Sequence, residues 1–182
     1  RFHASDTSNI HLNDDGMFRK YFKEAYNSFE HKGWKIIVLN SVETENGAYP
    51  VAGTEQINWL KKLLKQTPFT QPLIIVTHVP FLSVYYPVLK GNYTDMDIMK
   101  NQHEVLNLFK NHNLKLVLQG HMHIYEEIKV KGINFITGGA VSAAWWNGPY
   151  YGTEEGFLYL EVEKNDVKWE YIDYGWDAIN KQ

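Results

Sequence analysis

Cysteine is absent from this 182-residue chain, which excludes a disulfide framework, a thiolate metal site and a cysteine nucleophile. That absence fits an oxidising and a reducing compartment alike. No apolar run approaches the roughly 18 residues that a membrane-spanning helix needs. A basic excess is missing too: 18 Lys and Arg stand against 21 Asp and Glu, for a formal net charge of −3 and a pI near 6.2. The footprint of a nucleic-acid binder is therefore not there, and the interspersed charges read as solvated surface. Gly-x-Ser-x-Gly, a P-loop and His-Glu-x-x-His are also lacking, which removes the hydrolase, nucleotide-binding and zinc-protease classes that those motifs mark. Repeats, low-complexity tracts and a domain linker are likewise not found.

What is present is apolar material for one domain. Hydrophobic residues make up 44% of the chain, which supports a folded core and argues against disorder. Residues 1–16 are polar and aperiodic, and His3 and His11 within them read as surface histidines. Met17 to Ala25 predicts a short helix with Phe18, Tyr21 and Phe22 on one side. Two strands follow, Tyr26 to Phe29 and Trp34 to Asn40, around a Lys32-Gly33 turn. Residues 42–53 read as a loop. Thr54 is the expected N-cap of a helix whose Ile57, Leu60, Leu63 and Leu64 recur at helical spacing, with Trp59 at the edge of that stripe.

Pro72 to Thr77 predicts a buried strand running into His78-Val79-Pro80, followed by a long loop to Asp97. Loops of that length are uncommon unless they line a site. A second helix is predicted over 98–112, with Val105, Leu108, Phe109 and His112 on one face; His103 and His112 read as helix-surface or C-terminal histidines. Leu116-Val117-Leu118-Gln119 then forms a third buried strand that ends in Gly120-His121-Met122-His123. Beyond it the sequence predicts a hairpin (Ile124 to Val130, Ile133 to Thr137), an aromatic and small-residue loop from Gly138 to Gly152, and a last hairpin of Gly156 to Glu163 with Val167 to Tyr174. Strand pair, helix, strand, helix, strand and further strands make an α/β sandwich, its sheet packed on helices on one side and on another sheet on the other.

The candidate chemistry lies in three histidines. Residues i and i+2 of an extended chain project to the same side, so His121 and His123 are expected to present two imidazoles together. His78 ends the preceding buried strand, and a strand-helix-strand unit makes such strands parallel. All three rings then converge at one sheet edge, where open α/β sheets place ligands. Neutral imidazole is a common metal ligand, so His78, His121 and His123 are the candidate metal site.

Thr77-His78-Val79-Pro80 and Gly120-His121-Met122-His123, in this order, resemble the last two metal-binding motifs of calcineurin-like metallophosphoesterases. Gln56, Trp59 and Leu60 resemble the Gln-x-x-Trp-Leu segment that many members carry before the lone histidine. The resemblance runs from about Tyr26 to the end and implies the carboxyl-terminal half of that family's domain: half of a calcineurin-like β-sandwich of mixed sheets in α-β-β-α layers. It implies hydrolysis of phosphate mono- or diesters by a metal-activated hydroxide. His78 and His121 would serve one ion of a pair and His123 the other, the ions being manganese, iron or zinc. The phrase from Gly139 through Trp145-Trp146-Asn147-Gly148-Pro149 resembles a stretch in bacterial members, many of them exported, which leans the expected origin toward extracytoplasmic, with a cytoplasmic one left open.

The family's carboxylate motifs, Asp-x-His, Gly-Asp-x-x-Asp and Gly-Asn-His, do not occur here. Gly91-Asn92-Tyr93 mimics the last but lies on the wrong side of His78 and reads as a turn. The resemblance thus implies one incomplete domain over residues 1–182. Its amino-terminal half, with the bridging aspartate and the histidine that protonates the leaving group, would be missing, and the chain would be nearly inactive alone. Trp145, Trp146 and Tyr150 are candidate substrate contacts, since aromatics beside small residues can wall a pocket or can simply pack. Expected partners are a phosphate-ester substrate, the missing half and, through an exposed sheet edge or apolar face, a second copy; no nucleic acid and no membrane are expected. The competing reading is a non-catalytic metal-binding or interaction module with one structural ion closed by four protein ligands.

Overall fold

A computed structural model describes residues 16–92 and 97–177. The polar start with His3 and His11, and Tyr93 of the Gly-Asn-Tyr triplet, lie outside these residues. The elements are α1 (Gly16–Phe22), β1 (Asn27–His31), β2 (Trp34–Val38), β3 (Glu43–Glu45), β4 (Ala48–Val51), α2 (Thr54–Lys65), β5 (Pro72–Val76), α3 (Tyr85–Lys90), α4 (Gln102–Leu108), β6 (Asn113–Gln119), β7 (Glu126–Val130), β8 (Ile133–Thr137), β9 (Gly156–Glu163) and β10 (Asp166–Asp173).

One six-stranded sheet organises the chain, in the order β1-β2-β5-β6-β8-β7. Its four inner strands β2, β5, β6 and β8 are parallel, and β1 and β7 close the edges antiparallel. Strands covered on both faces read as continuous apolar runs. Ile74-Ile75 and Leu116-Val117 are of that kind and are buried to 3% exposure or less. On one face sit α2 and α4: Ile57, Leu60 and Leu64 of α2 and Val105 of α4 pack on Ile37, Leu73, Ile75 and Val117. Lys61, Lys62 and Lys65 point outward from α2. On the other face the β9–β10 hairpin lays Leu158, Leu160, Val162, Val167 and Trp169 over Trp34, Ile74, Leu116 and Ile136. Alternation along β9 and β10 leaves the hairpin's outer side wet. This mixed α/β arrangement is consistent with the expected calcineurin-like fold.

Several local expectations are corrected. Residues 42–53 are a β-hairpin, β3 with β4. Thr54 is the first residue of α2, and Gly53 is the N-cap, with no side-chain cap of its own. The free donors at the helix start go to hairpin carboxylates. Glu43 accepts from the Gly53 N–H, and Glu45 accepts from Thr54 N at 3.1 Å and Thr54 Oγ1 at 2.9 Å. Two carboxylates at a helix N-terminus satisfy both its open N–H groups and its dipole. The long loop after His78 contains α3, ended by Gly91 at φ 68°. The helix predicted over 98–112 is shortened to α4, because Asn101 spends its amide on both backbone groups of Ala52, at 2.9 and 2.8 Å. No helix among the described residues is long and apolar enough to cross a membrane.

Candidate functional site

Since β2, β5, β6 and β8 are parallel, their carboxyl ends share one edge of the sheet. The ladder between β5 and β6 continues past the strands. Thr77 donates to Leu118 O at 2.9 Å and Gly120 to His78 O at 2.9 Å, so His78 and Gly120 stand level. A Cβ at Gly120 would meet His78 O at 3.6 Å, an ordinary contact, so sterics do not demand glycine there.

His78 and His121 meet. His78 Nε2 and His121 Nδ1 are 3.2 Å apart, and their rings stand edge to face at 5.0 Å. His78 is held by Ser41, a buried serine whose Oγ accepts from His78 N at 3.2 Å and Val79 N at 2.8 Å. Behind His121 is a carboxylate that its sequence position did not advertise. Asp97 Oδ1 lies 3.0 Å from His121 Nε2, and Asp97 Oδ2 accepts from Tyr86 Oη at 2.5 Å.

His123 is placed otherwise. The chain is not extended through Gly120-His121-Met122-His123: the strand ends at Gln119, and His121 and His123 have φ of 72° and 58°. Met122 donates to Gly120 O at 2.8 Å, which closes a tight turn and drives the Met122 side chain inward against Tyr85 and Ile124. The same-side rule for an extended chain therefore does not place the two imidazoles. His123 Nδ1 faces Ala143 O at 2.8 Å, and its ring stacks on Trp145 at 4.4 Å.

Electrostatics follow the packing. Burial among the strand ends lowers the pKa of His78, and His121 and His123 lower it further by repelling a second positive charge. The imidazole is thus kept neutral, the form a metal takes. Burial pushes the Asp97 carboxyl up, but hydrogen bonds from Tyr86 and His121 outweigh it and hold the group below its usual range.

A buried polar network fixes the loop that follows His78. Gln119 accepts from Phe81 N at 3.1 Å and donates to Thr137 Oγ1 at 2.9 Å and to Leu82 O. Thr137 donates to Glu126 at 3.1 Å, and Glu126 accepts from Val84 N at 2.8 Å. Ser41, Gln119, Thr137, Glu126 and Asp97 were all missed by sequence reasoning. A polar residue on the last position of an apolar run, as in Gln119 and Thr137, is the signal that could have found two of them.

Two nitrogens each about 2.0–2.1 Å from one ion, at a tetrahedral angle, lie about 3.3 Å apart. The His78–His121 pair at 3.2 Å is spaced as two ligands of one ion. Asp97 on the far nitrogen of His121 is the usual outer partner of a ligating histidine. Beyond that pair, no group of three or more His, Cys, Asp and Glu side chains suited to an ion occurs among the described residues. These residues therefore fit part of one metal site and do not fit a complete two-ion centre.

The aromatic loop divides. Trp145 and Tyr150 stand beside His123, at 4.4 and 6.3 Å between ring centres. Trp146 turns away and meets Trp176 at 5.3 Å. Tyr150 is tied to the buried Tyr85 of α3, hydroxyl to hydroxyl, at 2.9 Å.

No family model matches this chain, and no curated protein does. Among solved structures it is similar to GAP50, described as the anchor in the inner membrane complex of Plasmodium. Identity is 17% and the TM-score 0.57, over 85% of this chain and 51% of that one. A dimetal phosphatase from Danio rerio follows at 14% identity and TM-score 0.45, over 63% and 48%. The phosphopantetheinyl hydrolase of Mycobacterium tuberculosis stands at 13% and 0.35, over 63% and 53%. The chain thus spans about half the length of each of these proteins. Its likeness to GAP50 is one of fold.

Proposed function

We propose that this chain carries the histidine side of a metal-dependent phosphoesterase site. The observation that supports the reading most is the 3.2 Å approach of His78 Nε2 and His121 Nδ1 at the carboxyl ends of two parallel strands, backed by Asp97. The two imidazoles would hold one ion, with Asp97 fixing which nitrogen of His121 faces it. His123, with Nδ1 on Ala143 O, would offer Nε2 to the other ion. The chemistry a metal pair supplies is activation of water and neutralisation of phosphoryl charge. Carboxylates that would hold a second ion belong, on this reading, to a segment outside these 182 residues. A phosphate mono- or diester is the proposed substrate, and the isolated chain is nearly inactive.

Metal titration by calorimetry with Mn²⁺ and Zn²⁺, with turnover of bis(p-nitrophenyl) phosphate in parallel, tests this. One ion per chain is expected, its affinity cut at least 100-fold by His121→Ala, with no turnover above background. A chain extended by its upstream coding sequence should bind two ions and hydrolyse the ester. Affinity indifferent to His121, or an extended protein without hydrolysis, overturns the reading. The competing structural-ion reading draws on the lack of a third ligating side chain beside the pair among the described residues. It predicts one ion in the extended protein as well, closed by four protein ligands and kinetically inert.

A further inference from the structure

We infer that Trp145 is a platform for a flat π-electron ring, a nucleobase or an aryl group, on the part of the substrate that does not react. The word substrate rests on the phosphoesterase reading above; the ring site itself does not.

Backbone strain draws attention to the place first. Twelve non-glycine residues among those described have positive φ. Lys32, Asn46, Lys131 and Lys164 occupy hairpin turns, and Lys23 follows α1, where such angles are ordinary. The other seven, Asp97, His121, His123, Ala143, Trp145, Trp146 and Tyr151, belong to the candidate site and its aromatic loop. Bulky residues in the left-handed region cost free energy, and such angles gather where a ligand is handled. Trp145, at φ 54°, gains little burial in return, since 61% of it stays exposed.

The indole is nevertheless held still. One face lies on His123 at 4.4 Å with 26° between planes, and Tyr150 abuts it edge-on at 5.6 Å. Tyr150 is anchored by its hydroxyl to Tyr85, which is 6% exposed. Ala143 beneath the loop is fully buried, and its carbonyl fixes His123. Much of the indole stays open to solvent, since Trp145 is 61% exposed.

Several polar atoms nearby are already committed. Tyr85 and Tyr150 bond each other, the Asn147 amide donates to Ala144 O at 3.0 Å, and His123 Nδ1 faces Ala143 O. The indole offers a face, and the hydroxyl pair beside it is spent internally, which suits a stacked flat ring. Its position also fits: His123, which carries the platform, is two residues from His121, so a ring seated there leaves the rest of the molecule reaching toward the histidine pair.

Saturation-transfer NMR on the 182-residue chain, without metal and with phosphorus-free probes, tests the inference. Adenosine, ribose and benzyl alcohol are compared at millimolar concentration. The base protons of adenosine should receive the strongest transfer and ribose alone none. Trp145→Ala should weaken the binding roughly ten-fold, the size expected for one stacked ring, whereas Trp145→Phe, which keeps a ring, should retain most of it. Benzyl alcohol matching adenosine assigns an aryl group; adenosine preferred assigns a nucleobase. No transfer from either ring, transfer centred on the ribose protons, or an unchanged signal in Trp145→Ala overturns the proposal. A chain that binds the base but hydrolyses no ester once extended refutes the phosphoesterase reading and leaves the ring site standing.

Discussion

The two faces of the six-stranded sheet are finished to different degrees. Under α2 and α4 a continuous cluster runs from Leu39 and Ala52 through Leu60 and Ile75 to Phe109 and Phe135, each 4% exposed or less. On the opposite face the β9–β10 hairpin fully buries far less, chiefly Trp34, Ile74, Leu116 and Ile136. Toward the carboxyl ends of β2 and β5 lies an apolar hollow of about 470 Å³, lined by Phe18, Ala25, Val38, Val76 and His78 among others. Phe18, Tyr21 and Phe22 of α1, beside it, are 45%, 68% and 64% exposed. The difference teaches where the molecule is complete. The helix face is closed by this chain's own residues, while the hairpin face stays open at the end where the histidines stand.

Paired truncations are the strongest way to break that contrast. Leu60→Ala, at a site with no exposure, should destabilise the chain by about 3 kcal/mol through lost burial and the cavity left behind. Val38→Ala in the open hollow should cost about 1 kcal/mol or less, because one side of that residue has no neighbours to lose. Urea denaturation read by tryptophan fluorescence gives both values. Equal losses would show that the hollow is closed in solution and that the contrast between the faces is wrong.

Asp97→Asn probes the seam between helix-side loop and sheet edge. Asparagine keeps the size but not the charge that sits against His121 Nε2 and accepts from Tyr86. If Asp97 orients a ligating histidine, Mn²⁺ or Zn²⁺ affinity should fall about 10- to 100-fold, with stability changed little. Loss of fold without a selective loss of metal affinity would make Asp97 a structural latch between α3 and the turn after β6. The comparison would then sharpen: the edge with the histidines would be held by packing, as the helix face is.

Much of this was legible in the sequence, for reasons particular to each stretch. Ile57, Leu60 and Leu64 announce α2 because helical spacing puts them on one stripe, and Leu116-Val117 announces a strand buried on both faces. The meeting of His78 with His121 was legible because both end neighbouring parallel strands. The turn that carries His123 was not, since nothing in Gly-His-Met-His signals two left-handed residues; it goes with the inward packing of Met122. Asp97 was hidden in a loop far along the chain from His121. The β3–β4 hairpin was read as loop because its strands are short and its polar side is spent on the start of α2.

The smallest effect separates two histidines at opposite edges of the sheet. His112 lies between the end of α4 and β6, against the Phe69 ring at 5.1 Å, and its Nδ1 is buried with no hydrogen-bond partner. Burial lowers its pKa from the ordinary value of 6.5, as burial, with His121 and His123, lowers that of His78. In both cases the unfolded chain takes up a proton more readily than the folded one. Stability should therefore fall as pH drops through 6.5, and stop falling once the folded imidazoles are themselves protonated. His112→Leu removes the unpartnered nitrogen and one of the two titrations, so its urea midpoint should vary less between pH 7.5 and 5 than that of the unaltered chain (values set by the ordinary histidine range of about 6.5). The residual slope belongs to His78, and saturating Mn²⁺ should steepen it, because metal and proton compete for the same nitrogen. A variant as acid-sensitive as the unaltered chain would show that His112 takes up its proton as readily folded as unfolded, and that the amino-terminal edge of the sheet is open to water there.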